Sequence, residues 1–568
     1  LPFVEDTAVS PEVLPEFVRR FDAIVRKHGT EAGYYGHASV GCLHIRPLIN
    51  LKNQEGVDRM VAISDEISDL VLEFGGSLSG EHGDGLVRSG YNEKMFGSQI
   101  YQAFRDVKKA FDPDGIMNPG KIVDPPPMTD NLRYGPTYST IKTETGFSFN
   151  EEGSFANAIE MCNGQGACRK IDGGTMCPSY MVTRDEEHST RGRANALRAA
   201  MSGALPPETL EDQRLYEVMD LCLECKGCKA ECPSNVDMAK LKYEFLNQYH
   251  KSNGYKLKNR FFGKISSLSK LGSFFSPITN WMMSTSLSRE VLESIIGIDK
   301  RRSLPHFTSQ SFEHWFRARK WSSTTKAVNG QVVLFPDTTT NYNHPELGIA
   351  AVEVIEKLGY EVVIPEIRCC GRPMLSNGMM DEAKTNVDFN IDAIYPYIEN
   401  GAKLVGIEPS CVLGFVGDFE DLSSMPDKAR KISENTMLIE QFFMYAIETN
   451  GDVQFTNPPD GKRALFHGHC HQKSLLGTST AMEVLRRIPG LESVEIKSGC
   501  CGMAGSFGFY REHYEISMEI GELTLFPAIR KEEEDVIIIS EGVSCRQQIQ
   551  QGTRKDSRHL VEVLAEYL

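Results

Sequence analysis

The sequence predicts a multidomain protein of mixed α+β and α/β class, in which an α+β module is followed by a helical domain and by two similar α/β lobes. Three observations support this prediction. Strand-like and helical patterns alternate over residues 1–125, helical patterns surround two cysteine runs within residues 145–250, and a cysteine pattern recurs at a fixed offset near the C-terminus. The 568 residues are enough for three or four domains of about 150 residues each.

The N-terminal module is predicted to span residues 1–125. The elements expected in it are, in order, a helix at 11–28, a strand at 40–49, and helices at 57–74 and 97–111. The triple proline Pro125-Pro126-Pro127 marks its end, because proline can neither continue a helix nor donate to a sheet.

The helical cysteine-containing domain is predicted at residues 145–250 and a helical connector at residues 251–325. The remainder divides into a first lobe, residues 326–450, and a second lobe, residues 451–568. Leu334-Phe335 and Cys369-Cys370-Gly371 of the first lobe recur 131 residues later, as Leu465-Phe466 and Cys500-Cys501-Gly502. Each lobe opens with a strand-like run, continues through a helix and ends with an apolar strand that leads to Ser410-Cys411 or Ser544-Cys545. The duplication predicts two α/β lobes related by pseudo-symmetry.

Charge and composition exclude some classes of partner. The net charge is −16 and basic residues are interspersed with acidic ones, so we expect no nucleic-acid surface. The fifteen cysteines fall in motifs rather than at framework spacings, which indicates a reducing compartment and a cytoplasmic protein. No apolar run is long enough for a membrane span and no signal peptide is visible.

Residues 256–298 are the one stretch whose composition is compatible with membrane contact, because aromatic side chains stand there among lysines and arginines. An interfacial helix would have this composition. Serines, a glycine and a proline interrupt the stretch, however, which favours helices packed between domains over peripheral membrane contact.

The sharper cysteine run has the C-x2-C-x2-C-x3-C-P spacing of bacterial-ferredoxin cluster ligation. It reads Cys222-Leu-Glu-Cys225-Lys-Gly-Cys228-Lys-Ala-Glu-Cys232-Pro233. In such a run three thiolates bind one 4Fe-4S cluster and the fourth binds a neighbouring cluster. Zinc knuckles also use C-x2-C pairs, but they need four ligands per site and do not explain the Cys-Pro ending.

The second run lies upstream and is altered. Cys162 and Cys168 are followed, after an insertion, by Cys177-Pro178, and Gln165 stands where the middle cysteine belongs. By the exchange of fourth ligands, Cys177 completes the cluster of Cys222, Cys225 and Cys228, and Cys232 joins Cys162 and Cys168. The second cluster is then one thiolate short. A three-iron cluster, a labile iron, or a fourth ligand such as His188 all remain open.

A third cysteine site is predicted in the second lobe. Cys470 lies thirty positions before Cys500, whereas the equivalent position in the first lobe is Thr339. The second lobe therefore offers the set Cys470, Cys500, Cys501 and Cys545, and the first lobe only Cys369, Cys370 and Cys411. Adjacent cysteines point apart unless the backbone turns, which the following glycine permits. Buried thiols without a ligand are the alternative.

Two histidine motifs stand about forty residues apart in the N-terminal module. They are Gly36-His37-Ala38-Ser39-Val40-Gly41-Cys42-Leu43-His44 and Ser79-Gly80-Glu81-His82-Gly83-Asp84-Gly85. Two imidazoles and a carboxylate suit a divalent metal that keeps open positions for a substrate. Polar residues that cap turns are the alternative, but the presence of both motifs favours metal binding or catalysis.

These motifs resemble known families. The histidine motifs, with Glu5-Asp6-Thr7-Ala8-Val9 and Asp112 to Lys121, resemble the C-terminal domain of FAD-linked oxidases, and the lobes resemble the cysteine-rich CCG domains. The order, with Thr190-Arg191-Gly192-Arg193 and the paired cysteine runs, is similar to that of the large bacterial flavin and iron-sulfur D-2-hydroxyacid dehydrogenases. The resemblance implies a flavin-oxidase cap module, a helical two-cluster ferredoxin-like domain and duplicated CCG lobes.

The resemblance also implies roles for particular residues. His37, His44 and Glu81 would hold a divalent metal, with zinc the expected ion, His82 would be the catalytic base, and Asn118 would lie near the flavin. Cys42 departs from the asparagine usual in the motif and Arg46 occupies a position that can face the substrate, so the substrate stays open between D-lactate and D-2-hydroxyglutarate. The CCG lobes would add a third iron-sulfur centre.

The expected function is FAD- and iron-sulfur-dependent oxidation of a D-2-hydroxyacid to the 2-oxoacid, with electrons passed to an external acceptor. No strand followed by G-x-G-x-x-G is visible. In the family that the chain resembles, an FAD-binding domain precedes this part, so the resemblance implies an N-terminal FAD-binding domain outside these residues. A non-catalytic electron-transfer subunit serving a separate flavoprotein is the alternative, and a zinc-bound scaffold is a third. The acceptor and any homo-oligomer stay open.

Overall fold

The computed structural model describes residues 2–319, 328–456 and 461–568. By its contacts the chain forms two compact units, Leu1–Thr140 and Ile141–Leu568. It is a multidomain protein with helices and small sheets, as predicted. The predicted divisions at residues 125, 250, 325 and 450 remain predictions, and the one at 325 lies outside the described residues.

The first unit is built on a three-stranded antiparallel sheet of order β1-β3-β2. Its elements are β1 (Thr7–Ala8), α1 (Leu14–Lys27), β2 (Ala32–His37), β3 (Cys42–Pro47), α2 (Gln54–Glu73), α3 (Gly85–Arg88), α4 (Asn92–Phe96) and α5 (Ser98–Phe111). The four predicted elements correspond to α1, β3, α2 and α5, and each begins and ends within three residues of its expected bounds. Strand β2 was not predicted from the sequence.

The two faces of β3 have different surroundings because side chains alternate along a strand. Leu43 and Ile45 enter a core with Phe17 and Phe21 of α1. Cys42, His44 and Arg46 therefore point to the opposite face. Gly41 makes the turn between β2 and β3 with φ +70°, and a Cβ there would lie 1.7 Å from the Val9 carbonyl oxygen. The sheet thus places one histidine of each strand on the face away from the core.

Helices surround the cysteine runs at the start of the second unit and continue through the connector. The first group is α6 (Phe155–Glu160), α7 (Pro178–Thr183), α8 (Thr190–Met201), α9 (Gln213–Asp220), α10 (Gly227–Glu231) and α11 (Met238–Asn253). The connector contains α12 (Leu257–Gly263), α13 (Ile265–Phe274), α14 (Ser276–Ser284), α15 (Ser286–Ile296) and α16 (Phe312–Ala318).

The prediction that the connector helices are packed between domains is wrong for α14 and α15. Only Ser276 is buried in α14, and no residue of α15 is buried. Within the described residues, no helix combines the length and the apolar character that crossing a membrane requires.

The two lobes contain parallel sheets of order β5-β4-β6-β7 and β10-β8-β9. The first lobe comprises β4 (Gln331–Phe335), α17 (Thr338–Tyr342), α18 (Pro345–Lys357), β5 (Glu361–Val363), α19 (Arg372–Leu375), α20 (Met380–Glu399), β6 (Lys403–Gly406), α21 (Pro409–Val412), α22 (Gly414–Gly417), α23 (Phe419–Leu422), α24 (Pro426–Ser433), β7 (Thr436–Leu438) and α25 (Ile439–Asn450). The second lobe comprises β8 (Lys462–Phe466), α26 (Cys470–Leu475), α27 (Ser479–Arg487), β9 (Leu491–Glu495), α28 (Tyr514–Glu522), α29 (Leu525–Arg530), β10 (Ile537–Ile539), α30 (Val543–Thr553) and α31 (Leu560–Tyr567).

The cysteines of the lobes all follow the carboxyl ends of parallel strands. In the second lobe Cys470 follows β8, Cys500 and Cys501 follow β9, and Cys545 follows β10. Because parallel strands end at the same edge of a sheet, residues far apart in the chain meet there. The turn after each cysteine pair uses a glycine, and φ is +90° at Gly371 and +95° at Gly502.

A buried group of charges joins the cysteine-containing helices to the first lobe. Asp418 accepts from Lys226 Nζ at 2.6 Å and from Arg372 Nη2 at 2.7 Å, and Lys226 also lies 3.1 Å from Asp237. Burial alone raises the pKa of Asp418, but the charges of Lys226 and Arg372 hold it well below its usual range. Arg372 is paired with a carboxylate, and Lys226 with two, only while Asp418 is ionised.

We expect Asp418→Asn to destabilise the second unit by about 3–5 kcal/mol, because it removes the carboxylate paired with buried Arg372 and leaves Lys226 with Asp237 alone. Denaturant unfolding followed by circular dichroism would measure the loss. The depressed pKa means that the stabilisation by Asp418 is present above the unfolded-state pKa, about 3.9, and is lost as the pH falls further.

The matched control is Glu420→Gln, which breaks an exposed pair with Arg430 on the same lobe and should change stability little. Equal losses in the two variants would contradict the role of the buried group.

Candidate functional site

His37 and His44 meet on the outward face of the first unit's sheet. His37 ends β2 and His44 lies on β3, where it pairs in register with Tyr35. The imidazole centroids are 5.3 Å apart and the rings are perpendicular. His44 is 4% exposed and His37 is exposed, so the pair reaches from the protein interior to its surface.

The loop that carries Glu81 and His82 is held by a buried carboxylate. Asp6 accepts hydrogen bonds from the backbone N–H groups of Glu81 and His82, at 2.9 and 2.8 Å, and from Ser79 Oγ at 2.9 Å. Burial raises the pKa of Asp6, but these donors outweigh that effect and lower it. Asp6 itself has φ +77°, so the backbone bends to bring its carboxylate under the loop.

The three predicted metal ligands converge. One donor atom from each of His37, His44 and Glu81 lies within 4.8 Å of the other two, and His37 Nε2 is 3.6 Å from Glu81 Oε1. His44 Nδ1 is buried and has no hydrogen-bond partner among the described residues, which is costly unless something binds there. Two imidazoles and a carboxylate are therefore close enough together to hold a divalent metal. Asp6 with His44 and His82, and Asp6 with Cys42 and Glu81, form two overlapping groups.

His82 lies beside this group and faces a second carboxylate. Its Nδ1 is 3.5 Å from Glu5 Oε1, and its ring stacks on that of His44 with centroids 4.9 Å apart. Arg46 Nε donates to Glu5 Oε2 at 2.5 Å, so Glu5 is fixed between the histidine and the arginine. Nε2 of His82 lies on the side away from Glu5, 4.0 Å from Glu81 Oε2.

The structural roles of Glu5 and Asp6 were not recognised from the sequence. Both are buried, although they follow the buried apolar residues Phe3 and Val4. Two acidic residues at the end of an apolar run, directly before a strand, are the signal that could have indicated them.

Asn118 lies in the loop that follows α5. Its backbone has φ +52°, and its Oδ1 accepts from Lys121 Nζ at 2.8 Å. Asp112 holds the loop by accepting from the N–H groups of Ile116 and Met117 at 2.9 Å. The expected position of Asn118 near a flavin stays a prediction.

One cavity in the second unit is lined by four cysteines from both runs. They are Cys177, Cys222, Cys225 and Cys228. The backbone N–H of Thr190 points at Cys177 Sγ at 3.1 Å and that of Met238 at Cys228 Sγ at 3.3 Å. N–H groups aimed at sulfur are a recurrent way in which proteins tune an iron-sulfur cluster. These are the four thiols that the exchange of fourth ligands predicts for one cluster.

The other three cysteines lie in or against the same hydrophobic core. They are Cys162, Cys168 and Cys232. Cys168 Sγ accepts from the backbone N–H of Arg191 at 3.3 Å, and a hydrogen bond with Cys177 lowers the pKa of Cys168 to about 6. Gln165, at the position of the absent cysteine, is exposed.

His188 is poorly placed to replace the missing thiolate. Its Nδ1 is hydrogen-bonded to Thr183 Oγ1 at 2.8 Å, and its Nε2 lies 3.5 Å from Glu187. The imidazole would have to leave these groups to reach iron.

The second lobe gathers its four cysteines into one buried group. Hydrogen-bonding contacts link Cys470 to Cys500, Cys500 to Cys501, and Cys501 to Cys545. His467 contacts Cys501 in the same site. Histidines around Cys470 were not predicted as part of the site, although the run His467-Gly468-His469-Cys470-His471 shows them in the sequence.

His469 differs from its two neighbours, because its pKa is raised whereas burial lowers the pKa of His467 and of His471 to about 4. Nε2 of His469 lies 4.0 Å from Cys470 Sγ. Burial lowers the pKa of His469, but the neighbouring Cys470 raises it to about 9. A positively charged imidazole beside the sulfur group offsets the negative charge of the thiolates.

The first lobe lacks the fourth thiol. Cys369 contacts Cys370, and Cys370 contacts Cys411, as in the second lobe. The hydroxyl of Thr339 donates to Asp337 at 2.5 Å. This position therefore takes part in a turn and offers no sulfur.

The cysteine cavity and the second-lobe group are in contact. Cys225 shares a small hydrophobic core with Cys470 and Cys500. Ser474 Oγ donates to the Cys225 carbonyl at 3.1 Å, and the His471 ring is hydrogen-bonded to the Glu224 carbonyl at 2.8 Å. The two sulfur sites are adjacent.

Comparison with known protein families agrees with this arrangement. Residues 1–122 match the FAD linked oxidases, C-terminal domain, residues 161–237 match the 4Fe-4S dicluster domain, and residues 334–415 and 464–550 each match the cysteine-rich domain. The chain therefore contains regions similar to three domain families, in the order that the sequence predicts. The predicted domain families and the duplication of the cysteine-rich lobes are confirmed.

Curated relatives cover different parts of this chain. The D-2-hydroxyglutarate dehydrogenase of Pseudomonas putida is 28% identical over 611 aligned positions, which include 100% of this chain and 58% of the relative. One component of the anaerobic glycerol-3-phosphate dehydrogenase of Escherichia coli is 27% identical over 55% of this chain and 77% of its own length. Lactate utilization protein A of Macrococcus caseolyticus is 32% identical over 31% of this chain and 72% of its own length. The chain thus spans under two thirds of the length of the Pseudomonas putida dehydrogenase.

Substitution His37→Ala should weaken divalent-metal binding by at least about 100-fold, because loss of an outer partner of a ligand alone costs about 10- to 100-fold. Metal analysis by mass spectrometry after dialysis would measure it. His28→Ala is the control, since His28 pairs with Glu66 outside the site. Equal metal content in the two variants would exclude His37 as a ligand.

Substitution Cys177→Ser should remove one cluster, about four irons and four sulfides per chain, because the hydroxyl is a poor substitute for a thiolate ligand. Iron and acid-labile sulfide assays on anaerobically purified protein would show the decrease. Cys42→Ser, in the first unit, should leave both values unchanged. Unchanged iron in Cys177→Ser would contradict the exchange of ligands between the runs.

Proposed function

We propose that the chain is part of an FAD- and iron-sulfur-dependent dehydrogenase that oxidises a D-2-hydroxyacid to the 2-oxoacid. D-lactate and D-2-hydroxyglutarate are the candidate substrates, and the name of the Pseudomonas putida relative favours the second. The observation that carries the proposal is the pairing of His82 with Glu5 next to the group His37, His44 and Glu81. An electron carrier alone has no use for a base beside a metal site.

The three clustered ligands would hold a divalent metal, and zinc suits two imidazoles and one carboxylate. When bound, such an ion acts as a Lewis acid toward the hydroxyl and carboxylate oxygens of a substrate. The exposure of His37 and Glu81 leaves the site open to a small molecule, while the buried His44 anchors it.

His82 would accept the hydroxyl proton at Nε2. Glu5, on the opposite side of the ring, fixes the tautomer by facing Nδ1 and stabilises the imidazolium once the proton has moved. Arg46 keeps Glu5 in place. The stacking of His82 on His44 sets the plane of the ring. Glu5 is therefore a positioning residue and His82 the proposed base.

The hydride of the substrate carbon would pass to FAD, which an N-terminal FAD-binding domain outside these residues would mainly hold, with Asn118 near the flavin. A reduced flavin carries two electrons, whereas iron-sulfur clusters carry one at a time. The dehydrogenase therefore needs a chain of one-electron sites, which the second unit would supply.

We assign one 4Fe-4S cluster to Cys177, Cys222, Cys225 and Cys228, whose side chains line one cavity. A second cluster, with an incomplete cysteine set, is assigned to Cys162, Cys168 and Cys232. A third iron-sulfur centre is assigned to the buried group Cys470, Cys500, Cys501 and Cys545 in the second lobe. The contact between Cys225 and Cys470 supports electron transfer from the first of these to the third. The final acceptor is external.

A second candidate function is a non-catalytic iron-sulfur protein that serves a separate flavoprotein. The similarity of over half the chain to one component of the glycerol-3-phosphate dehydrogenase favours it. The first unit distinguishes the two functions, because only an enzyme requires the pair His82 and Glu5.

Substitution His82→Ala, in protein that includes the flavin-binding part, should lower kcat for D-2-hydroxyacid oxidation by about 10²- to 10⁴-fold, the usual contribution of a general base. Turnover would be followed with an artificial dye acceptor. Iron content and the visible spectrum should not change, because the cysteine sites lie in the other unit. His28→Ala should keep full activity. Full turnover of His82→Ala would favour the non-catalytic electron carrier.

A further inference from the structure

The connector helices present apolar side chains to solvent. Along α15, Leu287, Val291 and Ile295 recur at intervals of four residues and are 71%, 46% and 59% exposed. Along α14, Ile278, Trp281 and Met282 occupy one face, with Trp281 68% exposed. Leu271 and Phe274 continue the pattern at the end of α13, where Phe274 is 79% exposed. Residues at these spacings share one face of a helix, so each helix has an outward apolar stripe.

The opposite sides of these helices are fixed by polar contacts. Thr279 Oγ1 donates to the Gly272 carbonyl at 2.7 Å, and Asn280 Nδ2 donates to the Phe307 carbonyl at 2.8 Å. A Cβ at Gly272 would lie 2.6 Å from the ring of Phe307, so the inward side is tightly packed. The outward orientation of the apolar stripes of α13 and α14 is therefore set by specific contacts on their inward sides.

Basic residues are concentrated in the same stretch. Residues 256–296 contain six lysines and arginines and two glutamates, Glu290 and Glu293, and so carry a net positive charge, although the net charge of the whole chain is −16. Arg260, Lys264 and Lys270 are exposed, and none of them forms an ion pair with a carboxylate in the described part of the chain. The surface thus combines positive charge with exposed apolar side chains. It complements a partner whose outer layer is negatively charged and whose interior is apolar.

We propose that residues 256–296, the connector surface, dock onto an anionic lipid bilayer. The apolar stripes of α13, α14 and α15 lie among the acyl chains just below the headgroups, and the lysines and arginines contact lipid phosphates. Trp281 suits the boundary, where tryptophan is enriched. No helix needs to cross the bilayer.

The helices of the connector surface are anchored by residues that pack in the core of the second lobe. Phe262 of α12 and Ile298, directly after α15, pack in the same hydrophobic cluster as Cys501 and Cys545. Docking would therefore bring the second-lobe cysteine group toward the membrane. The docking proposal itself does not depend on the hydroxyacid activity.

Flotation with vesicles tests the proposal directly. The complete holoprotein is mixed with vesicles of phosphatidylcholine alone or with about a third phosphatidylglycerol, and the bound fraction is measured. We expect at least tenfold stronger partitioning to the anionic vesicles, weakened by salt because exposed charges are screened. A blue shift of tryptophan fluorescence on binding, lost in Trp281→Phe, would place Trp281 in the lipid. Absence of binding to anionic vesicles would overturn the proposal.

Matched variants distinguish specific lipid binding by the connector surface from nonspecific binding by other exposed apolar or basic residues. Phe274→Ser with Leu287→Ser should reduce partitioning at least tenfold, whereas Phe111→Ser with Ile116→Ser, at equally exposed apolar positions of the first unit, should not. Lys264→Gln with Lys270→Gln should reduce binding more than Lys109→Gln with Lys431→Gln. Equal effects of surface and control variants would overturn the proposal.

Two alternative partners for the connector surface, a second copy of the chain and a flavin-binding part, give different results. Sedimentation velocity without lipid would show a dimer that Phe274→Ser with Leu287→Ser converts to monomers if the surface binds a second copy. A flavin-binding part that covers the surface would abolish vesicle binding by the holoprotein. Either result would refute lipid docking.

Discussion

The second unit is organised by the need to bring cysteines from distant parts of the chain to common points away from water. Cys177 and the run that begins at Cys222 line one cavity, and the second lobe collects Cys470, Cys500, Cys501 and Cys545 at one edge of its sheet. Parallel strands make the second assembly possible, because their carboxyl ends lie side by side. At the cavity, backbone N–H groups at the beginnings of two helices point at Cys177 Sγ and Cys228 Sγ and help to fix these thiols in position.

Burial of so many thiols requires control of charge. Asp418 holds Lys226 and Arg372 within the same unit, and Lys226 lies within the cysteine run itself. The neighbouring Cys470 raises the pKa of His469, which favours the charged imidazolium. Positive charge therefore stands close to both cysteine groups. Thiolates that bind metal carry negative charge, and nearby cations reduce the cost of burying it.

In the first unit a buried carboxylate positions the residues of the candidate metal site. Asp6 is buried and gathers the backbone of Glu81 and His82, so the loop is held over the face of the sheet that carries His37 and His44. Glu5, the preceding residue, turns the other way to meet His82 and Arg46. Two adjacent acidic residues thus separate two tasks, positioning the loop and positioning the base.

The amino-acid sequence by itself determined the domain families and the duplication, and it predicted the groups of cysteines, because ligand spacing and repeat offset are local properties of the chain. It also indicated His37, His44 and Glu81 as a set. Only the tertiary structure decided that Asp6 and Glu5 support them, that Cys225 contacts Cys470, and that the apolar stripes of the connector face outward. Those facts depend on which surfaces of separate elements meet, and the apolar period of a helix shows that it has a stripe without showing what lies opposite.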